Sequence, residues 1–177
     1  AANLSEQIST ASKEASGTGN MKFMMNGGIT IGTMDGANVE IHDLVGDDNM
    51  IIFGMNSDEV NKIYREGGYN PMDIYNNDPR LHEVIDQLTN GFFTNVAPDE
   101  FSVIRDNLLY GDHYFVLKDF DSYVKAQERA NELYKNQEKW LHMSIVNTAK
   151  SGFFTSDRTI RQYNDEIWHT KPIVIKY

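Results

Sequence analysis

The sequence predicts an α/β fold: a Rossmann-like parallel layer over residues 1–55, followed by a mainly helical segment over residues 56–177. Three observations predict it. Two short apolar runs, Ile29-Thr30-Ile31-Gly32-Thr33 and Met50-Ile51-Ile52-Phe53-Gly54, have the length and composition of buried strands. A helical pattern precedes each of them, and helix, strand, helix, strand is the rhythm of a parallel sheet. Ahead of the first helix lies a bend of small residues, Ser16-Gly17-Thr18-Gly19, on the sheet edge where open α/β layers hold ligands.

The bend has no bulky side chain, so its backbone can turn tightly and bring N–H groups close to an anion. Thr18 or Asn20 is expected to cap the helix that follows. Met21, Phe23, Met24 and Met25 suit a buried turn, and Asn26-Gly27-Gly28 stops it. The unpaired N–H groups and positive dipole end of that helix face the glycines, which makes a place for a phosphate. Lys22 lies about one turn inside the helix, at ~1.5 Å per residue. Its neighbours are methionine and phenylalanine, and burial among them would disfavour the ammonium form and lower the pKa. A lysine in that condition condenses with an aldehyde. An aldehyde carrying a phosphate describes pyridoxal phosphate.

Two commoner glycine signatures are rejected. A Walker loop needs glycine before its lysine and Ser or Thr after it, whereas Lys22 sits between Met21 and Phe23. The dinucleotide fingerprint needs a third glycine where Lys22 stands. On chemistry alone the same residues also fit a plain turn, with Lys22 snorkelling to solvent from a core helix.

After the first strand, Asp35-Gly36 reads as a turn and Asn38 to Val45 as a helix closed by Gly46. Asp35 and Gly36 follow a strand at the binding edge and are candidates for that reason. The commoner use of such a dipeptide is to cap the next helix. Glu40, Asp43, Asp47 and Asp48 lack the spacing of a calcium loop and read as a solvated face.

Beyond Gly54 the pattern is helical. Asn56 or Ser57 caps a helix with Val60, Ile63 and Tyr64 on one side, ended by Gly67-Gly68. Pro79 opens another, where Leu81, Val84, Ile85 and Leu88 share a face and Gly91 ends it. Pro98-Asp99 precedes a helix around Phe101 to Leu109. Tyr123, Ala126, Ala130, Leu133 and Tyr134 mark a longer helix, and Leu141, Ile145 and Ala149 the next. Ile160, Tyr163, Ile167 and Trp168 mark the last, capped by Ser156. These stripes are read as packing surfaces. The tail Lys171 to Tyr177 holds a β-prone run, Ile173-Val174-Ile175.

A length of 177 residues with 40% hydrophobic content is enough for one core. A formal charge of −10 argues against non-specific affinity for nucleic acid or an anionic membrane. With no cysteine there is no disulfide or thiol chemistry, which fits a reducing compartment. No apolar run approaches a membrane span. The five histidines form no pair at zinc spacing, so no metal site is expected.

Glu14 to Met24 (EASGTGNMKFM), continued by Asn26 to Glu40, closely resembles the cofactor-lysine region of the α-1,4-glucan phosphorylases, the glycogen, starch and maltodextrin phosphorylases. Leu4 to Thr10 fits the same family, as do Ser156-Asp157-Arg158-Thr159-Ile160, Tyr163 and Ile167-Trp168, so the likeness runs nearly end to end. The resemblance implies that Lys22 bonds pyridoxal phosphate covalently, and that Thr18 and the Gly19 backbone hold its phosphate. It implies that Glu14 bonds sugar hydroxyls while Ala15, Ser16 and Gly17 present backbone N–H groups to the same sugar. A carboxylate suits that task because it only accepts and a sugar offers donors. It further implies that the cofactor phosphate exchanges a proton with the substrate phosphate as glucose 1-phosphate leaves the chain end.

The fold so implied is part of the C-terminal domain of a GT-B type glycosyltransferase. A complete phosphorylase is several times longer, so the chain is expected to be one incomplete domain from its C-terminal portion, inactive when isolated. Its expected partners are α-1,4-glucan, inorganic phosphate and the remainder of the phosphorylase chain, in the cytoplasm. An exposed sheet edge and apolar face would favour a homo-oligomer. The alternative is a non-catalytic binding or interaction module derived from such an enzyme.

Overall fold

Three parallel strands lie at the centre of the computed structural model, which describes residues 2–97, 99–171 and 173. They are β1 (Leu4–Gln7), β2 (Ile29–Gly32) and β3 (Ile51–Ile52), in the order β1-β2-β3, with Leu4 opposite Ile29 and Ile31 opposite Ile51. The β-branched residues of β2 are wholly buried, as a central strand covered on both faces requires. Helices α1 (Thr18–Met25) and α2 (Ala37–Val45) supply one layer, where Met24, Ile41, Val45 and Met50 pack together. On the other side Ile31, Ile51 and Phe53 meet Ala126 and Ala130 of α7 (Val116–Lys135), and Ile29 meets Trp140 and Met143 of α8 (Gln137–Lys150).

Helices α7 and α8 are also tied to the two rims of the sheet. Gly54 N–H donates to Ser122 Oγ at 3.0 Å and Met55 N–H to Asp119 Oδ1 at 3.1 Å, both just after β3. Ser144 Oγ donates to the Gly27 carbonyl at 2.8 Å and Asn147 Nδ2 to the Asn49 carbonyl at 2.8 Å, just before β2 and β3. Asn136 alone joins the two helices, and its side chain accepts from the Lys139 amide at 3.1 Å.

Between β3 and α7 lie α3 (Ser57–Glu66), α4 (Pro71–Asn77), α5 (Pro79–Gln87) and α6 (Ser102–Tyr110). Asn56 starts α3 with a reciprocal cap: its side chain accepts from the Asp58 and Glu59 amides, and its own N–H donates to Glu59 Oε2 at 2.9 Å. Asn56→Ala is expected to cost about 1 kcal/mol, read as a lower urea midpoint at unchanged m-value. After α8 come a 3₁₀ turn (Ser151–Phe154), α9 (Ser156–Tyr163) and a π-type turn (Asn164–Trp168).

Several elements differ from their sequence expectation. β1 and α4 are additions, and the apolar run at 50–54 forms a strand only at Ile51–Ile52, with the Phe53 amide donating to the Gly32 carbonyl at 3.1 Å. Helix α7 begins at Val116, well ahead of Tyr123. In α8 the inward face carries Trp140, Met143 and Asn147, whereas Leu141 and Ile145 are exposed. Ile160, Tyr163, Ile167 and Trp168 are exposed rather than packed, and Thr155, not Ser156, accepts the capping bond from the Arg158 amide. Pro98 and most of the 171–177 tail, including Val174 and Ile175, lie outside the described residues. Among the described residues no helix is long and apolar enough to cross a membrane.

Candidate functional site

The segment from residue 8 to 17 crosses the carboxyl ends of the strands, and Asp35 anchors it there. The Asp35 carboxylate is buried just beyond β2; Oδ1 accepts from the Ser12 amide at 2.7 Å, and Oδ2 from the Lys13 and Glu14 amides at 3.2 and 2.8 Å. Ser12 has φ 71, a left-handed turn that lets consecutive amides converge on one anion. Asp35 does not cap α2 with its side chain, as its dipeptide suggested. The residue before α2 is Gly36, at φ 50 and ψ −133, with no side-chain cap.

Glu14 lies over Gly36, in space that a Cβ at position 36 would take from its side chain. Its Oε1 accepts from the Gly17 amide at 2.9 Å and the Ser16 amide at 3.3 Å. Two of the amides expected to face a sugar are therefore held by Glu14 itself. Gly17 is buried with φ 62, and a Cβ there would stand 2.5 Å from Ala37 Cβ, so only glycine fits this close approach.

Gly17 is also the residue that precedes α1, which corrects the expectation that Thr18 or Asn20 caps it. Thr18 is the first helical residue, with its hydroxyl 2.9 Å from Ser16 Oγ. Asn20 is buried and donates to Asn38 Oδ1 at 2.7 Å, while Asn38 Nδ2 donates to the Thr33 and Gln7 carbonyls at 2.9 and 3.1 Å. That pair ties α1 and α2 to two strand ends. Among the described residues the amides of Thr18, Gly19 and Asn20 meet no acceptor, and the Met21 amide reaches the Gly17 carbonyl at 3.4 Å. The start of α1 thus presents N–H donors at its positive end.

Lys22 is exposed, which overturns the expected burial among methionine and phenylalanine. The physical reason is helix rotation. Asn20 and Met24, four residues apart, turn one face of α1 to the core, and a residue midway between them points away from it. No ion pair among the described residues engages Lys22. Ala15, Ser16, Thr18 and Gly19 are likewise exposed and Glu14 is half-buried, so the predicted stretch forms one solvent-facing rim. Beside that rim, on the α7 side, lies a cavity of about 400 Å³ lined in part by Thr10, Lys13, Phe53, Tyr114, Asp119 and Tyr123. Burial pushes the Asp119 carboxyl above its ordinary value.

Sequence reasoning missed Asn38 and the work of Asp35. Only the position of Asp35 at a strand end signalled it, because its partners lie more than twenty residues away.

A parallel sheet covered on both faces, with a solvent-facing rim at its carboxyl edge, places the chain in the open α/β class. Comparison with known proteins gives the family: the carbohydrate phosphorylase model matches residues 1–170, and the chain belongs to that family. It is 57% identical over 175 residues to glycogen phosphorylase of Bacillus subtilis (strain 168), covering 98% of this chain and 22% of that protein. It is 52% identical over 176 residues to glycogen phosphorylase of Synechocystis, covering 99% of this chain and 21% of that one. With the muscle form of Homo sapiens glycogen phosphorylase it shares 52% over 172 residues, covering 97% and 20%. The chain thus spans about a fifth of the length of the curated relatives it matches.

Proposed function

We propose that the chain is the cofactor-bearing part of an α-1,4-glucan phosphorylase, from the C-terminal domain of a GT-B type glycosyltransferase that releases glucose 1-phosphate from glucan ends. The observation that supports this most is the left-handed bend at Gly17, which leaves the first amides of α1 unpaired about one turn before a solvent-facing lysine. The residues fit pyridoxal phosphate: Lys22 offers a primary amine to its aldehyde, and Thr18 with the Gly19 backbone offers donors to its phosphate. When bound, the cofactor supplies a phosphate that exchanges a proton with the substrate phosphate.

Glu14 accepts from sugar hydroxyls, and the Ala15, Ser16 and Gly17 amides donate to them. A hydroxyl both accepts and donates, so it can enter between Glu14 and the Ser16 and Gly17 amides without leaving any of the three groups unpaired. The same exposed rim needs a second wall to exclude water from the reaction. In this reading the remainder of the phosphorylase chain supplies it, so the isolated chain does not phosphorolyse maltodextrin. The intact enzyme works in the cytoplasm with glucan and inorganic phosphate as substrates, and the chain by itself forms a homo-oligomer through its open sheet edge and apolar face.

The test is chemical labelling. The chain is incubated with pyridoxal phosphate, reduced with borohydride and digested. A label concentrated on Lys22 above the other lysines is expected. Labelling spread over surface lysines with no excess at Lys22 overturns the reading.

A further inference from the structure

We infer that Asp35 is a positioning residue for Glu14: it fixes the backbone of residues 12–14 so that the Glu14 carboxylate can exchange its own amides for a sugar hydroxyl while the segment stays in place. This rests on the reading of Glu14 given above. Asp35 is 8% exposed, and no ion pair among the described residues balances its charge. A carboxylate so placed is stabilised by what it accepts, and here that is three amides shared over both oxygens. All three belong to the segment that ends in Glu14. Towards its own helix Asp35 contributes only its carbonyl, which accepts from the Asn38 amide at 3.0 Å.

The rest of the surroundings hold the same backbone. The Lys13 amide donates to the Thr10 carbonyl at 2.9 Å, and Thr10 Oγ1 donates to the Tyr114 carbonyl at 2.7 Å. Gly36 leaves room for the Glu14 side chain that no other residue would leave. By contrast the Glu14 carboxylate rests on amides two and three residues ahead in a half-exposed setting, at 3.3 and 2.9 Å. A fixed backbone with an exchangeable side chain is what a binding carboxylate needs, since a shift of about 1 Å at such a group costs roughly 10²-fold in rate. Asparagine cannot replace Asp35: it has one acceptor oxygen, and its NH₂ would face an amide donor head-on.

The experiment uses the full-length phosphorylase that carries this segment. Asp35→Asn is expected to lower kcat/KM by roughly 10²-fold. It should also erase most of the preference for glucose 1-phosphate over the monodeoxy analogue whose missing hydroxyl Glu14 meets, a readout that general loosening of the fold would not move. Glu14→Ala should erase the same preference, and adding Asp35→Asn to Glu14→Ala should change kcat/KM by no more than about twofold. Additive losses, or an Asp35→Asn enzyme with intact preference, overturn the inference and leave the Glu14 reading standing. Glu14→Ala with normal kcat/KM and preference removes that reading, and this inference with it. A measurement that needs no variant is hydrogen exchange on the 177-residue chain, where the Ser12 and Glu14 amides should exchange more slowly than that of Ala15. Equal rates at the three positions overturn the inference.

Discussion

Lys22→Arg will leave the full-length phosphorylase carrying this segment with no borohydride-reducible link to pyridoxal phosphate, and will lower phosphorolysis by about 10²-fold or more. Guanidinium stays protonated and cannot condense with an aldehyde, although arginine keeps the charge and much of the length of lysine. The fold of the 177-residue chain is not at stake in this substitution. There Lys22 is exposed on the side of α1 opposite Asn20 and Met24, and changes at such positions usually alter stability by less than about 0.5 kcal/mol. An unchanged thermal midpoint of the Lys22→Arg 177-residue chain would therefore show that loss of the link reports chemistry rather than unfolding. The checks are the visible absorption of the holoenzyme, mapping of the reduced peptide and the phosphorolysis rate. A reducible link that survives in Lys22→Arg would place the cofactor on another lysine.

Asp112→Ala is expected to cost about 3 kcal/mol in stability. Asp112 is buried at the turn into α7, with φ 38. Its carboxylate accepts from the Val116 and Leu117 amides at 2.8 and 2.9 Å, closing the open end of a long helix, and from the Tyr69 hydroxyl at 2.5 Å. Burial, and then the hydrogen bond and charge of Asp112, push the Tyr69 phenol above its ordinary value, so it remains a donor across the working pH range. Alanine would strand all three donors and would fit the left-handed backbone less well than aspartate. Phe115, at φ 53 and packed against Tyr64 and Tyr69, depends on the same clamp. Asp112→Asn should lose less, since one carbonyl oxygen can still accept. The shift in urea midpoint measures both. A loss below about 1 kcal/mol for alanine, a typical single cap, would mean that the turn holds itself without the carboxylate.

The loss would also reach the solvent-facing rim. Tyr114 lies in the same turn, and its carbonyl accepts from Thr10, upstream of Glu14.

Local signals located the elements they govern. Asn56 and Pro79 begin α3 and α5 as their chemistry requires, and Gly46 ends α2. Asn70-Pro71 carries the same signal at the start of α4, where the Asn70 side chain accepts from the Met72 amide, but no long apolar stripe follows it as one follows Pro79. Strand β1 had no local signal. Leu-Ser-Glu-Gln is polar, and it becomes a strand only because β2, more than twenty residues on, presents a partner. The start of α7 was hidden for a related reason: its cap comes from Asp112, outside the helix, through an unusual turn rather than from an adjacent residue. In α8, apolar residues occur on both faces, so periodicity could not decide between Leu141 with Ile145 and Trp140 with Met143.

At the candidate site the sequence placed the glycine bend before a helix but could not orient that helix. Rotation of α1 is set by Asn20 meeting Asn38, a pair formed across eighteen residues, and that rotation turns Lys22 outward. The anchoring of Ser12 to Glu14 by Asp35 was out of reach for the same reason. Amides carry no residue-specific mark in a sequence, and only the fold shows which carboxylate they face.

The single residue between α7 and α8 acquires a mechanical meaning from the fastenings on either side of it. One helix grips the sheet behind β3 and the other grips it ahead of β2 and β3, so Asn136 works as an elbow whose bend sets the twist between the two rims. A change of backbone angle at that elbow would load the fastenings at both rims of the sheet at once.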